Sequence, residues 1–436
     1  MNYITKFDLE TELPKNFYLS KQIKDLYSNL ETTRGSVLLS GKAGTGKSTF
    51  VEYYRLNTTK KIIILAFTGV SAIKGRGRTI HAFFELPWRI PNKPGDIKIL
   101  RHKDFIKSLN TIIIDEVSMV RADLMDAIDK CLRLNRDNDV PFGGVKMLFV
   151  GDIFQLSPIA KGTEKDAIDH LYPEGPFFFN SFAFKKINTK YIEFEKIYRQ
   201  RDTKFIQALE HIRRNEISAE VLDFFNQRVT NNVEDKLKGL ILLAPTNRRT
   251  FAVNTKKLKS LESPEFNYVG KVKGNFLLSD MVSEKHLKLK VGAQVMMTKN
   301  DQQKRWVNGT IGFIHKLEKD KIYVKNGKKI YLIEKVMWEK FDYKLIKGKY
   351  EPKVIGSFEQ YPLKLAWAAT IHKCQGQTFD NAIIDLDTGA FAHGMTYVAL
   401  SRVKTIDGLF LARSVKESDI KFDNRIYNFH KKVYLI

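Results

Sequence analysis

The sequence predicts an α/β protein with two parallel-sheet halves and a small antiparallel β-barrel inserted into the second half. Short β-branched runs such as residues 62–66 and 111–114 lie between polar or helical segments, a pattern typical of βαβ units. Between about residues 264 and 360, short alternating runs are separated by turns, as in small antiparallel barrels. The α/β pattern resumes at Leu363 and ends in a last predicted strand at residues 408–412. The two α/β halves indicate a duplicated architecture without a repeated sequence.

A glycine-rich loop follows the first predicted strand, at residues 36–40. Residues 41–48 read GKAGTGKS and fit the P-loop pattern G-x-x-x-x-G-K-[ST], with helix-forming residues behind them. Glycines let backbone N–H groups turn toward phosphate oxygens, and the N-terminus of the following helix adds partial positive charge. We therefore expect ATP and Mg²⁺ to bind here, with Lys47 at the β- and γ-phosphates and Ser48 on the metal. The loop residues that we expect to hold the nucleotide are Gly44, Thr45, Gly46, Lys47, Ser48 and Thr49.

Acidic and amide side chains follow two further predicted strands, at residues 111–114 and 145–150. Asp115 and Glu116 come directly after the first strand, and Gln155 follows the second strand in the sequence GDIFQ. In parallel sheets, ligands gather at the carboxyl ends of the strands. We therefore expect Asp115 to coordinate Mg²⁺, Glu116 to orient the attacking water, and Gln155 to contact the γ-phosphate.

Two loops of small and polar residues lie between these strands, at residues 66–72 and 77–81. Small hydroxyls and backbone amides are good ligands for phosphate oxygens. The His81 imidazole can hydrogen-bond to a phosphate or stack on a base, although a histidine in such a position is more commonly a buried structural residue. The prolines and glycine of residues 83–95 then indicate a non-repetitive, wedge-like excursion from the sheet.

The second half begins with a new strand pattern at residues 191–196, where we expect the second domain to start. Within the antiparallel region, residues 322–333 predict a hairpin with Asn326-Gly327 as a type I′ turn. The many lysines of this region can grip a polyanion or keep the region soluble, and the sequence favours neither reading.

The chain has 436 residues and is strongly basic, since 73 Lys and Arg against 49 Asp and Glu give a net charge of +24. On a nucleotide-binding protein, such an excess indicates a polyanionic partner, whereas a lysine-rich solvated surface is the alternative. Cys131 and Cys374 form neither a metal-ligand spacing nor a disulfide framework, as is typical of a reducing compartment. We expect no signal peptide, because residues 1–10 contain no apolar core of the signal-peptide type. We also expect no membrane span, because no apolar run reaches ~18 residues.

Nine sequence motifs occur in the order found in superfamily 1 helicases: GKAGTGKST, AFTGVSA, GRTIH, DEVSM, GDIFQLSP, YRQ, APTN, TIHKCQGQT and YVALSR. The span of residues 115–158 closely resembles the signature region of the petite-integration-frequency (PIF) family of DNA helicases. Within it, the element at residues 136–144 is most informative, because the more distant RecD-type relatives usually lack it. The resemblance spans roughly residues 19–415.

The resemblance implies a P-loop NTPase with two tandem RecA-like parallel-sheet domains and ATP between them. The first, ATP-binding domain would span residues 1–185, with a wedge-like insert at about residues 76–100. The second would comprise residues 186–262 and 358–436, interrupted by an SH3-like β-barrel at residues 263–357.

The resemblance also assigns roles to residues in the matching motifs. Gln22 resembles the glutamine that reads adenine, although a surface glutamine on a helix fits the pattern equally well. Arg199 and Arg402 resemble two arginine fingers that reach the γ-phosphate from the second domain, and Gly376 lies in the motif that links the γ-phosphate to DNA. Phe67 departs from the family, which usually has proline there. The DNA-contacting motifs contain Thr68, Thr79, His81, Thr246, Asn247 and His372.

The function that the resemblance implies is ATP-dependent 5′-to-3′ translocation on single-stranded DNA. We expect such a protein to unwind duplex, forked or G-quadruplex DNA in replication, repair, recombination or telomere maintenance. The chain is similar to a compact bacterial or phage-type member, so we expect a cytoplasmic monomer. Two alternatives stay open. One is a nucleic-acid-stimulated ATPase switch that binds single strands without unwinding, and the other is a P-loop kinase, which would leave the late motifs unexplained.

Overall fold

The computed structural model divides into two compact units. The first comprises residues 1–199, 392–394 and 422–436, and the second comprises residues 200–391 and 395–421. None of the described helices combines the length and the apolar composition that a membrane-spanning helix needs. For residues 340–346 and 349–353 the backbone alone is described. The residues that the structure describes are 13, 17–68, 72, 77–87, 89–91, 95–158, 160, 163–200, 202–231, 233, 237, 239–278, 281–299, 301, 303, 305–306, 309–346 and 349–434.

A six-stranded parallel sheet forms the centre of the first unit. Its strands are β1 (Ser36–Gly41), β2 (Ile62–Ala66), β3 (Arg78–Thr79), β4 (Thr111–Asp115), β5 (Lys146–Val150) and β6 (Thr189–Phe194). They lie in the order β3-β2-β4-β5-β1-β6, and every neighbouring pair is parallel. Strands β1, β2 and β5 are buried along their whole length, which explains their continuous apolar runs.

Helices and short 3₁₀ turns connect these strands. The 3₁₀ turns span Val117–Met119, Pro141–Gly144 and Phe178–Asn180. The predicted wedge at about residues 76–100 contains one short helix, and residues 76, 88 and 92–94 of it lie outside the described part. The helices are α1 (Lys21–Thr32), α2 (Lys47–Asn57), α3 (Ile80–Phe84), α4 (Lys103–Ser108), α5 (Ala122–Arg136), α6 (Thr163–Leu171) and α7 (Phe182–Lys185).

The first unit contains two segments that the sequence assigned to the second domain. Strand β6 pairs with β1 from Thr189 to Phe194, so the first sheet extends past the predicted boundary at residue 185. The C-terminal helix, whose range is Asn424–Tyr434, also packs on the first unit. Its Phe429 ring stacks on Phe179, with 4.0 Å between the ring centroids and 3° between the ring planes.

Arg136, in the signature element, links separate segments of the first unit through its guanidinium group. Its Nε donates to the carbonyl of Gly143 at 2.7 Å, and its Nη1 donates to the carbonyls of Ile106 at 2.5 Å and Leu109 at 3.1 Å. The side chain therefore ties the end of α5 to both the Pro141–Gly144 turn and the end of α4. Partial burial among these carbonyls lowers the pKa of Arg136.

The Pro141–Gly144 turn has a backbone shape that few residues adopt. Phe142 has φ +54° and Gly143 has φ +59°, both in the left-handed region. A Cβ atom on Gly143 would lie 2.7 Å from the carbonyl oxygen of Leu132, so only glycine fits there. The fully buried Phe142 is held by its amide, which donates to Asp129 Oδ1 at 2.5 Å. The sequence element thus specifies one turn of the fold.

The second unit is built on a four-stranded parallel sheet. It is formed by β7 (Ile241–Ala244), β18 (Ala368–Thr370), β19 (Ala382–Ile384) and β20 (Leu409–Leu411), in the order β18-β7-β19-β20. This second parallel sheet confirms the predicted two-sheet α/β class. The helices of the unit are α8 (Thr203–Arg214), α9 (Ala219–Asn226), α10 (Asn247–Lys259) and α11 (Met395–Leu400), and the C-terminal helix of the first unit is α12.

The predicted antiparallel insert is present between β7 and β18. Its strands are β8 (Phe266–Val269), β9 (Lys271–Gly274), β10 (His286–Leu289), β11 (Gln294–Met297), β12 (Ile311–Leu317), β13 (Ile322–Asn326), β14 (Lys329–Ile333), β15 (Val336–Ile346), β16 (Lys349–Gln360) and β17 (Leu363–Leu365). They form sheets in the orders β14-β13-β12-β11-β17, β15-β16-β9 and β10-β8. Buried Val295, Ile314 and Val324 of the insert share one apolar core with Leu242 and Ile383 of the parallel sheet.

The predicted hairpin of the insert is confirmed, with its turn shifted by one residue. Asn326 pairs with Lys329, so the two turn residues are Gly327 and Lys328 and not Asn326 and Gly327. Gly327 has φ +57°, the positive value that a tight hairpin turn requires at its first position. Asn326 instead uses its side-chain amide to donate to the carbonyl of Ile311 at 2.7 Å.

We predict that Arg136→Ala lowers the free energy of unfolding by about 2–3 kcal/mol, because it leaves several partly buried carbonyls without their charged donor. Lys130→Ala is the matched control, since Lys130 is exposed on the same helix and its loss should cost under about 0.5 kcal/mol. Chemical denaturation of the two variants measures both values. Equal stability of the two variants would contradict the stabilising role of the Arg136 hydrogen bonds.

Candidate functional site

The glycine-rich loop at the end of β1 has the shape that phosphate binding needs. Gly41, Gly44 and Gly46 all have φ in the left-handed region, at +146°, +84° and +88°. At Gly41 a Cβ atom would lie 2.5 Å from the carbonyl oxygen of Phe194, so the loop cannot take this path with a larger residue. The buried Thr45 closes the loop, since its hydroxyl donates to the carbonyl of Lys42 at 3.0 Å. The predicted loop residues are thus brought together.

Lys47 begins helix α2 and turns its ammonium group back into the loop. Its Nζ donates to the carbonyls of Gly41 at 2.5 Å and Lys42 at 2.9 Å. A cation at this point, beside the N-terminus of an eleven-residue helix, matches the charge of a triphosphate. Ser48 is exposed and Thr49 is partly exposed in the first turn of α2, where a hydroxyl is available to a metal or a phosphate.

Tyr198, which sequence analysis did not single out, lies on the glycine loop. Its amide donates to the carbonyl of Gly44 at 2.8 Å, and its ring lies 3.8 Å from the point where a Cβ atom on Gly46 would be. The ring is 51% exposed, and Lys196 Nζ lies 5.4 Å from its centroid. Its position directly before Arg199 in the YRQ motif was the signal in the sequence that could have marked it.

Arg199 directly follows Tyr198 and is the last residue of the first segment of the first unit. The sequence placed it in the second domain. Gln200, the next residue, belongs to the second unit, where its amide donates to the carbonyls of Ser401 at 3.4 Å and Val403 at 3.2 Å. Arg199 therefore lies at the point where the chain passes from one unit to the other.

Two carboxylates lie at the end of strand β4, where Asp115 is the last residue of the strand and Glu116 follows it. Asp115 Oδ1 accepts from the amide of Glu116 at 2.9 Å, and Glu116 has φ +52°. Few non-glycine residues adopt this backbone conformation, which is often found at functional sites. Asp115 and the hydroxyl of Ser48 are hard oxygen donors of the kind that Mg²⁺ prefers. Because Mg²⁺ is usually held by one or two protein oxygens and the phosphates themselves, these residues fit a nucleotide-bound Mg²⁺.

Gln155 lies in a loop after β5 that Asp152 organises. Asp152 Oδ1 accepts from the amide of Phe154 at 3.2 Å, and its Oδ2 accepts from Gln155 Nε2 at 3.3 Å. Both Asp152 and Gln155 are buried, at 1% and 5% exposure. Sequence analysis missed Asp152, although an aspartate two residues before a turn amide is a recognised turn signal.

Gln22 lies on α1, exposed, and its Nε2 donates to the carbonyl of Glu193 on β6 at 2.7 Å. The Glu193 carboxylate accepts from the hydroxyl of Tyr191 at 2.9 Å and lies 3.0 Å from His430 Nε2. The adenine-reading role of Gln22 stays a prediction. Its backbone partner holds the amide at a fixed place on the surface of the first unit.

The motif residues of β2 and β3 meet at the carboxyl edge of the same sheet. The register places Ala66 of β2 opposite both Asp115 of β4 and Thr79 of β3. The Thr79 hydroxyl caps α3 by accepting from the amide of Ala82 at 3.3 Å. Thr68 is partly exposed and lies two residues after the end of β2.

His81 is only 8% exposed, and its ring lies 5.9 Å from that of Phe67. Burial, helped by the nearby Arg121 charge, lowers the pKa of His81 to about 4. The imidazole is therefore neutral at physiological pH, which favours the structural reading that the sequence left open over a charged phosphate contact.

In the second unit, Arg402 follows helix α11 and is 1% exposed. Its guanidinium donates to the carbonyl of Val398 at 2.7 Å, to the hydroxyl of Ser401 at 2.7 Å and to the carbonyl of Gln377 at 3.2 Å. Gln377 follows Gly376, which has φ +72°. Two of the sequence motifs, TIHKCQGQT and YVALSR, are thus joined by one arginine.

The other predicted residues of the second unit lie after β7 and β18. The Thr246 hydroxyl caps α10 by accepting from the amide of Arg249 at 3.2 Å, and Asn247 is exposed in the first turn of that helix. His372 follows β18, and its ring is stacked on the 48% exposed Phe391 with 6.1 Å between centroids. Parallel pairing of β7 with β18 places both motifs at the carboxyl edge of the second sheet.

Comparison with known proteins agrees with this geometry. A family model described as PIF1-like helicase matches residues 19–234, and one described as DNA helicase Pif1, 2B domain, matches residues 274–317. The second match falls within the antiparallel insert. An ATP-dependent DNA helicase Pif1 from Campylobacter jejuni is 30% identical to the chain, over 91% of this chain and 94% of its own length.

Solved structures extend the match to three dimensions. Bacteroides sp. Pif1 in complex with ADP-AlF4 has a TM-score of 0.85 and 33% identity, over 96% of this chain and 98% of that chain. Bacteroides Pif1 bound to ssDNA has a TM-score of 0.73 and 33% identity, over 96% of this chain and 97% of that chain. Such identity over nearly the whole length of its relatives shows that the chain is an ATP-dependent DNA helicase of the Pif1 family.

Proposed function

We propose that the chain hydrolyses Mg²⁺-bound ATP at the loop after β1 and uses the energy to move 5′-to-3′ along single-stranded DNA. We further propose that it unwinds forked and G-quadruplex DNA, acts as a monomer and works in the cytoplasm. The observation that carries the proposal is the position of the Lys47 ammonium inside the glycine loop, 2.5 Å and 2.9 Å from two loop carbonyls.

The first unit supplies the groups that position the triphosphate. Lys47 binds the β- and γ-phosphates by exchanging its two carbonyl partners for phosphate oxygens, which carry more charge. Ser48 and Asp115 hold Mg²⁺, which neutralises charge on the phosphates when it is bound. Glu116 orients the attacking water, and Gln155 contacts the γ-phosphate.

Arginine completes the charge stabilisation. Phosphoryl transfer depends mainly on positioning and electrostatics, so an arginine finger contributes ~10³–10⁵ in rate. In this proposal Arg199 acts from the boundary between the units and Arg402 from the second unit. Because Gln200 bonds to the carbonyls on both sides of Arg402, the residue that follows Arg199 is held beside Arg402 within the second unit.

DNA binding in this proposal uses the carboxyl edges of both sheets. Thr68 and Thr79 serve the first unit, and Thr246, Asn247 and His372 serve the second. Small hydroxyls, amides and helix N-termini bind phosphate oxygens without reading bases. The net charge of +24 supports a large electrostatic share of the affinity. In this proposal His81 contributes through its neutral ring.

We predict that Lys47→Ala lowers the kcat of ATP hydrolysis by at least ~100-fold, because the γ-phosphate loses its charged ligand. Single-strand binding should persist, which fluorescence anisotropy measures. Lys24→Ala is the matched control, since Lys24 is exposed on α1 and should keep wild-type activity. Normal hydrolysis in Lys47→Ala would refute the proposed site.

We predict that Asp152→Asn lowers kcat by ~10-fold or more, because asparagine has one acceptor oxygen and cannot accept from both the Phe154 amide and the Gln155 side-chain amide. A double-mutant cycle with Gln155→Ala tests whether Asp152 affects kcat through Gln155. If Asp152 acts through Gln155, then Asp152→Asn should add little to Gln155→Ala. Two fully additive losses would show that Asp152 has a separate role.

We predict that duplexes with a 5′ single-stranded tail are unwound in the presence of ATP, whereas duplexes with a 3′ tail are not. Gel-based strand displacement on the paired substrates measures both activity and polarity. The affinity for single strands should fall with salt by roughly 0.7 logarithmic units per tenfold rise in salt for each phosphate contacted. ATP hydrolysis without displacement of either duplex would instead indicate the ATPase switch.

A further inference from the structure

Residues 392–394 form a short strap that belongs to the first unit, although the chain on both sides of it belongs to the second. Its last residue, Gly394, lies directly against the loop that carries Gln155. A Cβ atom on Gly394 would lie 2.5 Å from the carbonyl oxygen of Phe154 and 2.6 Å from that of Gln155. Backbone therefore touches backbone here, with no side chain between them to absorb a movement.

His393 anchors this strap. It is 8% exposed, and its Nδ1 accepts from the amide of Asp423 at 3.0 Å, so the ring proton lies on Nε2. Its ring lies 5.4 Å from Phe422, which in turn stacks on Phe154 with 6.4 Å between centroids and 19° between planes. The two residues that precede α12, Phe422 and Asp423, thus contact both the strap and the Gln155 loop.

The electrostatic environment of His393 supports a fixed anchor. Burial lowers the pKa of His393 to about 4, although the Asp423 and Asp152 carboxylates favour its charged form. The imidazole is therefore neutral across the physiological range and keeps one hydrogen-bonding pattern. Among the described residues, His393 Nε2 has no hydrogen-bond partner. A buried donor of this kind is costly to keep in a place that serves packing alone.

The strap continues without a break into the helix before the arginine. Met395, the residue after Gly394, begins α11, which ends at Leu400, and Arg402 follows two residues later. The guanidinium of Arg402 bonds to the carbonyl of Val398 within the same helix at 2.7 Å. A displacement of Gly394 would therefore be passed along one helix to Arg402.

We propose that Gly394 is a positioning residue that couples the Gln155 loop to helix α11 and thereby to Arg402. The inference rests on the proposed function of Gln155 and Arg402 and adds the physical link between them. When the Gln155 loop shifts on loss of the γ-phosphate, the backbone of Gly394 has to move with it, because the two backbones are in direct contact. Packed contacts pass on such shifts because they do not deform continuously.

Two substitutions at Gly394 separate this contact from simple backbone strain. Gly394→Ala adds a Cβ atom at a left-handed φ of +70°, whereas Gly394→Asn adds the same atom in a residue that tolerates this region. Gly327→Ala is the matched control, because Gly327 has φ +57° and nothing within 4 Å of the added atom. DNA-stimulated ATPase and thermal unfolding are measured for the full-length wild type and all three variants.

We expect both Gly394 variants to lose about 10- to 100-fold in kcat, because a small misplacement of a catalytic group is enough for such a loss. Their KM for ATP should stay within about 3-fold of the wild type, since Lys47 and the glycine loop are unchanged. Gly327→Ala should keep the wild-type kcat. His393→Leu, which removes the acceptor for the Asp423 amide, should show the same loss of kcat at constant KM.

Wild-type kcat in Gly394→Asn, in a folded protein, would overturn the inference. An equal loss of kcat in Gly327→Ala would also overturn it, because strain at any left-handed glycine would then explain the data. Failure of the proposed function itself looks different, since the wild-type chain would then show no ATP hydrolysis that DNA stimulates.

Discussion

The parallel pairing of strands in the first sheet is the constraint on which the rest of the structure depends. Because β2, β4 and β5 run in the same direction as β1, their carboxyl ends meet at one edge. The glycine loop, the two carboxylates and the Gln155 loop all follow those ends. The second sheet repeats this rule, since the motifs after β7 and β18 also share one edge. Residues distant in sequence become neighbours because the strands before them share one direction.

Several lysine and arginine side chains of this protein donate hydrogen bonds to backbone carbonyls and not to carboxylates. Lys146 is 6% exposed and donates to the carbonyls of Asn29 and Leu30, both at 3.0 Å, at the C-terminal end of α1. Burial, and then the nearby Lys60 charge, lower the pKa of Lys146 to about 8. The carbonyl end of a helix stabilises such a cation. With 73 basic residues and 49 acidic residues, the chain has too few carboxylates to pair every cation.

The sequence was sufficient for features that depend on local pattern. The P-loop, the runs that became β2 and β4, and the hairpin of the insert could all be predicted from periodicity and turn chemistry. The features that it did not predict depend on long-range pairing. Strand β6 has the same apolar pattern whichever sheet it joins, and only its pairing with β1 assigns it to the first unit. The role of Asp152 could not be predicted either, because it depends on the position of the Gln155 side-chain amide in the folded chain.

Glu193 contacts both the first and the last of the described helices. Its carbonyl accepts from Gln22 of α1, and its carboxylate lies 3.0 Å from His430 of α12. One residue of an edge strand therefore holds α1 through its backbone and α12 through its side chain. A substitution of Glu193 would remove the contact with α12 and leave the contact with α1, because every residue keeps its backbone carbonyl.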